Sequence, residues 1–252
     1  MIHWKDRFLA SGIHFGISLV FALLAGLLVF GVWYPYPYRE ISGGRELFLI
    51  LVTVDVILGP LITLAIFNRA KPVKVLKRDL AVVGMIQLAA LGYGLWTVAA
   101  ARPVHLVFEI YRFRAVHAAD VPQDMLKKAP PGLALMPMSG PTLLSVRPFK
   151  NDNERMDATL TDLGGLPIGA RPDFWQSYEA GKAQVIASAK PVSEIRARLP
   201  AQAAVIDEAV ASTGRKAEDL GYVPLVGRKN FWTVLIDRQT AQVLAFVPVD
   251  PF

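Results

Sequence analysis

The stretch LFLILVTVDVILGPLITLAIF, residues 47–67, decides how this chain reads. It is long and apolar enough to cross a hydrocarbon core about 30 Å thick as a single helix. One charged side chain interrupts it, Asp55, near its middle. A charge at the centre of a membrane-spanning helix costs at least ~2.5–3.5 kcal/mol on insertion scales, so it marks a functional or packing site.

Two runs of the same kind, residues 13–34 and 80–101, flank this one. The chain has 252 residues, 53% of them hydrophobic, and a mean hydropathy of +0.38. The excess lies before Arg102, and the remainder has ordinary soluble composition and a length suited to one domain. The first run is too long for a secretory h-region and no A-x-A-type cleavage site follows it, so it reads as an uncleaved anchor. The expected organisation is a transmembrane domain over residues 1–102 and an exported domain over residues 103–252.

Orientation follows from basic residues in short loops. Lys5 and Arg7 precede the first run, and Arg69, Lys71, Lys74, Lys77 and Arg78 lie between the second and third. The loop between the first and second runs holds only Arg39 and Arg45. This bias puts the N-terminus in the cytoplasm and the C-terminal domain on the far side of the membrane, exported. Trp33, Tyr34 and Tyr36 then form an aromatic belt at the outer interface, and the five basic residues from Arg69 to Arg78 sit at the inner one.

The net charge of +6 is largely accounted for by those loops. No stripe of Lys and Arg interleaved with aromatics occurs in the soluble part, which argues against nucleic-acid binding. The chain has no cysteine, which rules out disulfides and thiolate metal sites. His105 and His117 lack metal-site spacing. There is no G-x-S-x-G elbow, H-E-x-x-H, Walker loop or G-x-G-x-x-G, so no catalytic residue, metal, cofactor or small-molecule substrate is expected.

Within the exported part, residues 104–111 and 143–146 read as strands, and 121–128 as a short helix. Asn151, Asp152 and Asn153 offer N-caps for a helix ending at Gly164-Gly165. Residues 171–180, 192–199 and 201–212 read as further helices. Residues 231–236 and 243–247 flank a polar loop, a β-hairpin. The fold class expected is α+β: a three-helix N-terminal transmembrane bundle followed by a domain with a small antiparallel sheet and several short helices.

Asp55 has two readings. It could receive a cationic or hydrogen-bonding group presented by a partner helix, or be bonded within its own bundle to Thr53, Thr63, Gln87 or Tyr93. Gly59-Pro60, one turn further on, predicts a kink, because proline deletes a backbone hydrogen bond and crowds the preceding turn. Gly84, Gly92 and Gly94 in the third run and Gly12, Gly16 and Gly26 in the first give small-residue faces for close helix contact, within the bundle or with a foreign helix. His14 reads as interfacial.

Residues 51–64, with Phe67-Asn68 after them, resemble the second span of the TfpX/TfpZ family of type IV pilin accessory proteins. Trp33-Tyr34-Pro35, Lys77-Arg78-Asp79-Leu80-Ala81-Val82, Gln87-Leu88, Arg102-Pro103-Val104, Arg112-Phe113 and the closing Val247-Pro248-Val249-Asp250-Pro251-Phe252 are similar to it too. The family pattern often ends in tryptophan where Phe252 stands. The resemblance implies an inner-membrane protein that assists or modulates assembly of a cognate type IV pilin, with the pilin helix and the bilayer as partners. It carries no catalytic residues. On that basis Asp55, Gly59, Pro60 and Thr63 are the candidate partner-binding residues. The competing class is a membrane-anchored envelope-binding or sensory module.

Overall fold

The computed structural model describes residues 4–252, which divide into two compact units. The first comprises the chain through Pro35 together with Gly44–Ala101, and the second comprises Tyr36–Gly43 together with Arg102–Phe252.

Three helices of the first unit are long and apolar enough to cross a membrane: Trp4–Trp33, Gly44–Ile66 and Val73–Ala100. The first is α1 (Trp4–Leu28) continued by a π-helical turn, Val29–Trp33. A short turn, α2 (Tyr38–Ile41), follows in the second unit. The second long helix consists of α3 (Gly44–Val52), a π-helical turn from Thr53 to Leu58, and α4 (Gly59–Ile66). Pro60 explains that turn: it has no N–H to donate and its ring crowds the carbonyl four residues earlier, so the ladder widens ahead of it. The third long helix is α5 (Val73–Ala100). It starts at the residue after Pro72 rather than at residue 80, because Lys, Leu and Arg propagate a helix well. Lys74, Lys77, Arg78 and Asp79 therefore lie on its first two turns rather than in a loop. Lys71 precedes it, bonds Asp79 at 2.7 Å and caps the Ile66 carbonyl at 3.2 Å.

In the second unit, β1 (Pro103–Glu109), β2 (Arg112–His117), β3 (Thr142–Val146), β4 (Trp175–Ser177), β5 (Lys190–Pro191), β6 (Leu220–Val226), β7 (Phe231–Asp237) and β8 (Val243–Val247) form one sheet. Its order is β4-β3-β1-β2-β6-β7-β8, with β5 also paired to β6. The β1–β3 and β2–β6 pairs are parallel. The sheet is thus mixed and eight-stranded, where a small antiparallel one was expected. The added strands carry breakers: β6 contains Gly221 and Pro224. Proline is tolerated there because β5 flanks β6 at residues 221–222 and β2 flanks it at 225–226, leaving no ladder partner on that side at Pro224.

The helices α6 (Asp152–Leu163), α7 (Tyr178–Ser188), α8 (Val192–Arg198) and α9 (Ala203–Ser212) pack around the sheet. Asn151 caps α6, accepting the Glu154 N–H at 2.8 Å. Residues 171–180 are not one helix: a 3₁₀ turn, Pro172–Phe174, leads into β4, whose Trp175 is fully buried, and α7 starts only at Tyr178. Residues 123–128 are likewise 3₁₀ rather than α.

Residues 36–43 belong to this unit's core. Tyr38 and Ile41 are buried in one cluster with Leu106, Phe113, Val223 and Trp232. The Ile41 carbonyl accepts the backbone N–H groups of Arg228 (3.0 Å) and Lys229 (3.2 Å). Gly227 permits this approach, since a Cβ there would lie 2.7 Å from the Ile41 oxygen and 2.9 Å from that of Asn230.

Candidate functional site: the crevice at Asp55

Asp55 lies inside the π-helical turn of the second long helix, 6% exposed. π-helical turns reorient side chains within an otherwise regular helix and recur at functional sites. Its Oδ1 is buried and has no hydrogen-bond partner among the described residues. None of the internal partners that sequence suggests takes up the carboxylate. The Thr53 hydroxyl donates to the Leu49 carbonyl (2.8 Å), and the Thr63 hydroxyl lies 2.5 Å from His14 Nδ1. The Gln87 amide donates to the backbone oxygen of Asp55 (3.3 Å), and Tyr93 is mostly exposed.

The other candidates serve the bundle itself. The Pro60 carbonyl accepts from the Ser11 hydroxyl at 2.9 Å, so Ser11 and His14 of α1 stitch the first long helix to α4. Gly59 makes room for Gln87, whose Nε2 a Cβ at that position would overlap. Glycines fall into two sets. Gly26 and Gly94 abut Phe48 and Leu51, whereas a Cβ at Gly12, Gly16, Gly84 or Gly92 would meet nothing within 4 Å.

Among the described residues, three cavities beside α5 matter here. The middle one, about 210 Å³, has walls from α1 (His14, Ile17, Ser18) and α5 (Gly84, Gln87), and is reached by Asp55. A second, about 380 Å³, is also lined by Asp55, with Leu51, Val54, Ala90 and Gly94. A third, about 510 Å³, shares His14 and Gly84 with the middle one and adds Asp6, Ala10, Thr63 and Arg69. Asp55 thus stands where two apolar crevices meet. A carboxyl group so placed can donate or accept a hydrogen bond, or hold a cation, on behalf of an apolar guest.

Sequence reasoning set His14 aside and passed over Ser11 and Ser18. Their spacing is three and four residues, one face of a helix, and that polar stripe was the available signal. Of the expected interface residues, Trp33 and Tyr34 are buried in the first unit with Val29 and Val98, and the Tyr34 hydroxyl donates to the Val98 carbonyl at 3.0 Å. Tyr36 is exposed and its ring meets Trp232 in the second unit, centroids 6.2 Å apart. Arg69 pairs with Asp6 at 3.1 Å. Among the described residues, no group of three His, Asp or Glu side chains is placed to hold a metal ion.

Fold and site together define a class: an apolar three-helix unit with an interhelical crevice, joined to an α+β domain with a mixed sheet. Comparison with known proteins narrows it. The family described as fimbrial assembly protein FimB matches residues 2–43. A fimbrial assembly protein of serogroup I from Dichelobacter nodosus is 36% identical over 255 residues, covering 98% of both chains. The serogroup E1 protein of the same organism is 34% identical over 254 residues, with 98% of both chains covered. The protein of serogroups C1 and C2 is 44% identical over 130 residues, which is 50% of this chain and 98% of that one. The chain belongs to the fimbrial assembly protein family. No solved structure matches it.

Proposed function

We propose that this protein is a non-enzymatic inner-membrane factor that binds a type IV pilin subunit and assists or modulates its assembly, the crevice at Asp55 receiving the subunit's membrane helix. The observation that carries this reading is the buried, unpartnered Asp55 oxygen between two apolar crevices. Placing an acid there is costly in lipid unless a guest completes its hydrogen bonding. The open faces of Gly84 and Gly92 suit a helix that approaches closely.

The proposed topology has support beyond loop charges. Residues 36–43 share a core with residues 102–252, so both stretches occupy one compartment. Two helices long enough to span separate them, so an even number of crossings is required, as the reading supplies. With the N-terminus cytoplasmic, the α+β domain is periplasmic and free to meet the head of the subunit.

The test uses the absence of cysteine. Gly84→Cys, inside the crevice, is compared with Leu27→Cys, an exposed position that lines none of the three cavities. A thiol-reactive cross-linker should join fimbrial subunit to the former and not the latter, and Asp55→Ala should abolish the product. Equal products from both positions, or pilin association and surface fimbriae that survive Asp55→Ala at normal protein levels, refute the crevice. Solubilised protein that never retains a fimbrial subunit would favour the sensory reading instead.

A further inference from the structure

We propose that the largest of the three crevices described above, beside the N-terminal half of α1, is a binding site for one anionic phospholipid, whose acyl chain fills the cavity while its phosphate meets Arg69. The inference rests on the bilayer reading of the three helices.

The cavity, about 510 Å³, is walled by Leu9, Ile13 and Ile17 of α1, Phe67 after α4, and Leu80 of α5. Its polar lining includes Arg69 and Asp6. Arg69 lies in the turn after α4 and is 73% exposed in its side chain, while pairing with Asp6 of α1 through Nη1 at 3.1 Å. That single bond leaves the guanidinium donors to engage a phosphate, which two parallel N–H groups recognise well. Around this end of the bundle lie Lys5, Arg7, Lys71, Lys74, Lys77 and Arg78, against two acids, Asp6 and Asp79. Lys71 is committed to Asp79, whereas Lys74 and Lys77 have no acidic partner among the described residues.

The occupant must therefore combine an apolar tail with an anionic head at one end, and an anionic phospholipid does so. A partner helix suits this crevice less well, because the basic cluster would face nothing. The site also differs from the Asp55 crevice in its surroundings: Asp55 does not line it, and it lies at the end of the bundle where the basic residues gather.

The full-length protein, reconstituted in nanodiscs of mixed phosphatidylglycerol and phosphatidylcholine, is released into detergent and examined by native mass spectrometry. One phosphatidylglycerol should be retained in preference to phosphatidylcholine. Arg69→Gln should weaken retention about fivefold, the usual effect of one basic residue near an anionic surface. Ala10→Phe, which lines only this cavity of the three, should displace the lipid with the charges intact. Equal retention of the two lipids or an undiminished adduct in Ala10→Phe overturns the assignment. Carbonate extraction of each variant scores membrane integration separately, so failure of the lipid site is distinguishable from failure of the bilayer reading.

Discussion

Replacing Asp55 by leucine should stabilise the protein while abolishing its role in fimbrial assembly. The two side chains have the same branched shape at Cγ, and the position borders cavities of about 210 and 380 Å³, so leucine enters without strain. The carboxylate gives up little on removal, since its buried oxygen has no partner. On insertion scales an aspartate at a helix centre costs ~2.5–3.5 kcal/mol and a leucine is mildly favourable. Contact with polar neighbours such as Gln87 and His14 offsets part of that, so a gain of about 1–3 kcal/mol is expected. The assay is SDS titration of the detergent-solubilised protein followed by tryptophan fluorescence, with surface fimbriae counted in cells expressing each variant. Asp55→Asn should fall between, keeping hydrogen-bonding capacity without the charge. If Asp55→Leu loses 1 kcal/mol or more while remaining folded, the carboxylate has an internal partner and the reasoning is wrong.

Two further outcomes concern the α+β unit. Ile41→Ala should cost about 2–5 kcal/mol, the range for emptying a buried isoleucine site, and should be read in sheet residues such as Trp232 by hydrogen exchange, although residue 41 lies between the first two long helices. His105 is fully buried, with Nε2 donating to the Leu135 carbonyl at 2.9 Å and Nδ1 held by Thr142 at 2.7 Å. Burial pushes its imidazole down to about 4, against the opposing effect of the Leu135 bond. Between about pH 6.5 and 4 the unfolded chain therefore binds the proton that the folded one refuses. Its contribution is complete above that window and falls by about 3 kcal/mol across it, a loss that chemical denaturation should show as missing from His105→Gln.

The long apolar helices were legible because burying in lipid and burying in protein impose the same composition. Their true starts were not, since Lys74, Lys77 and Arg78 look like a loop yet propagate a helix. The strands at 104–111 and 143–146 and the terminal hairpin carried β-branched patterns and were found, although the first stops at Glu109 and residues 110–111 form the turn. The hairpin joining β1 to β2 gave no turn signal: it passes through Ile110 at φ 58°, a left-handed position with neither glycine nor asparagine to mark it. The parallel pairings depend on residues some forty to over a hundred positions apart, beyond any local pattern. Asp55 stood out at once by its cost, whereas Ser11, His14 and Ser18 gained meaning only when α1 was laid against the second helix.

The eight residues from Tyr36 to Gly43 give the folding of this protein an order in time. They are synthesised early, yet β7, which completes the cluster around Tyr38 and Ile41, is made some 190 residues later, roughly 10–40 s at ordinary rates of translation. Until then the cluster lacks its β6 and β7 side, and the Ile41 carbonyl lacks the N–H groups of Arg228 and Lys229. A secreted fragment beginning at residue 103 would lack one wall of its own core, and should fold well only when the 36–43 peptide is supplied with it.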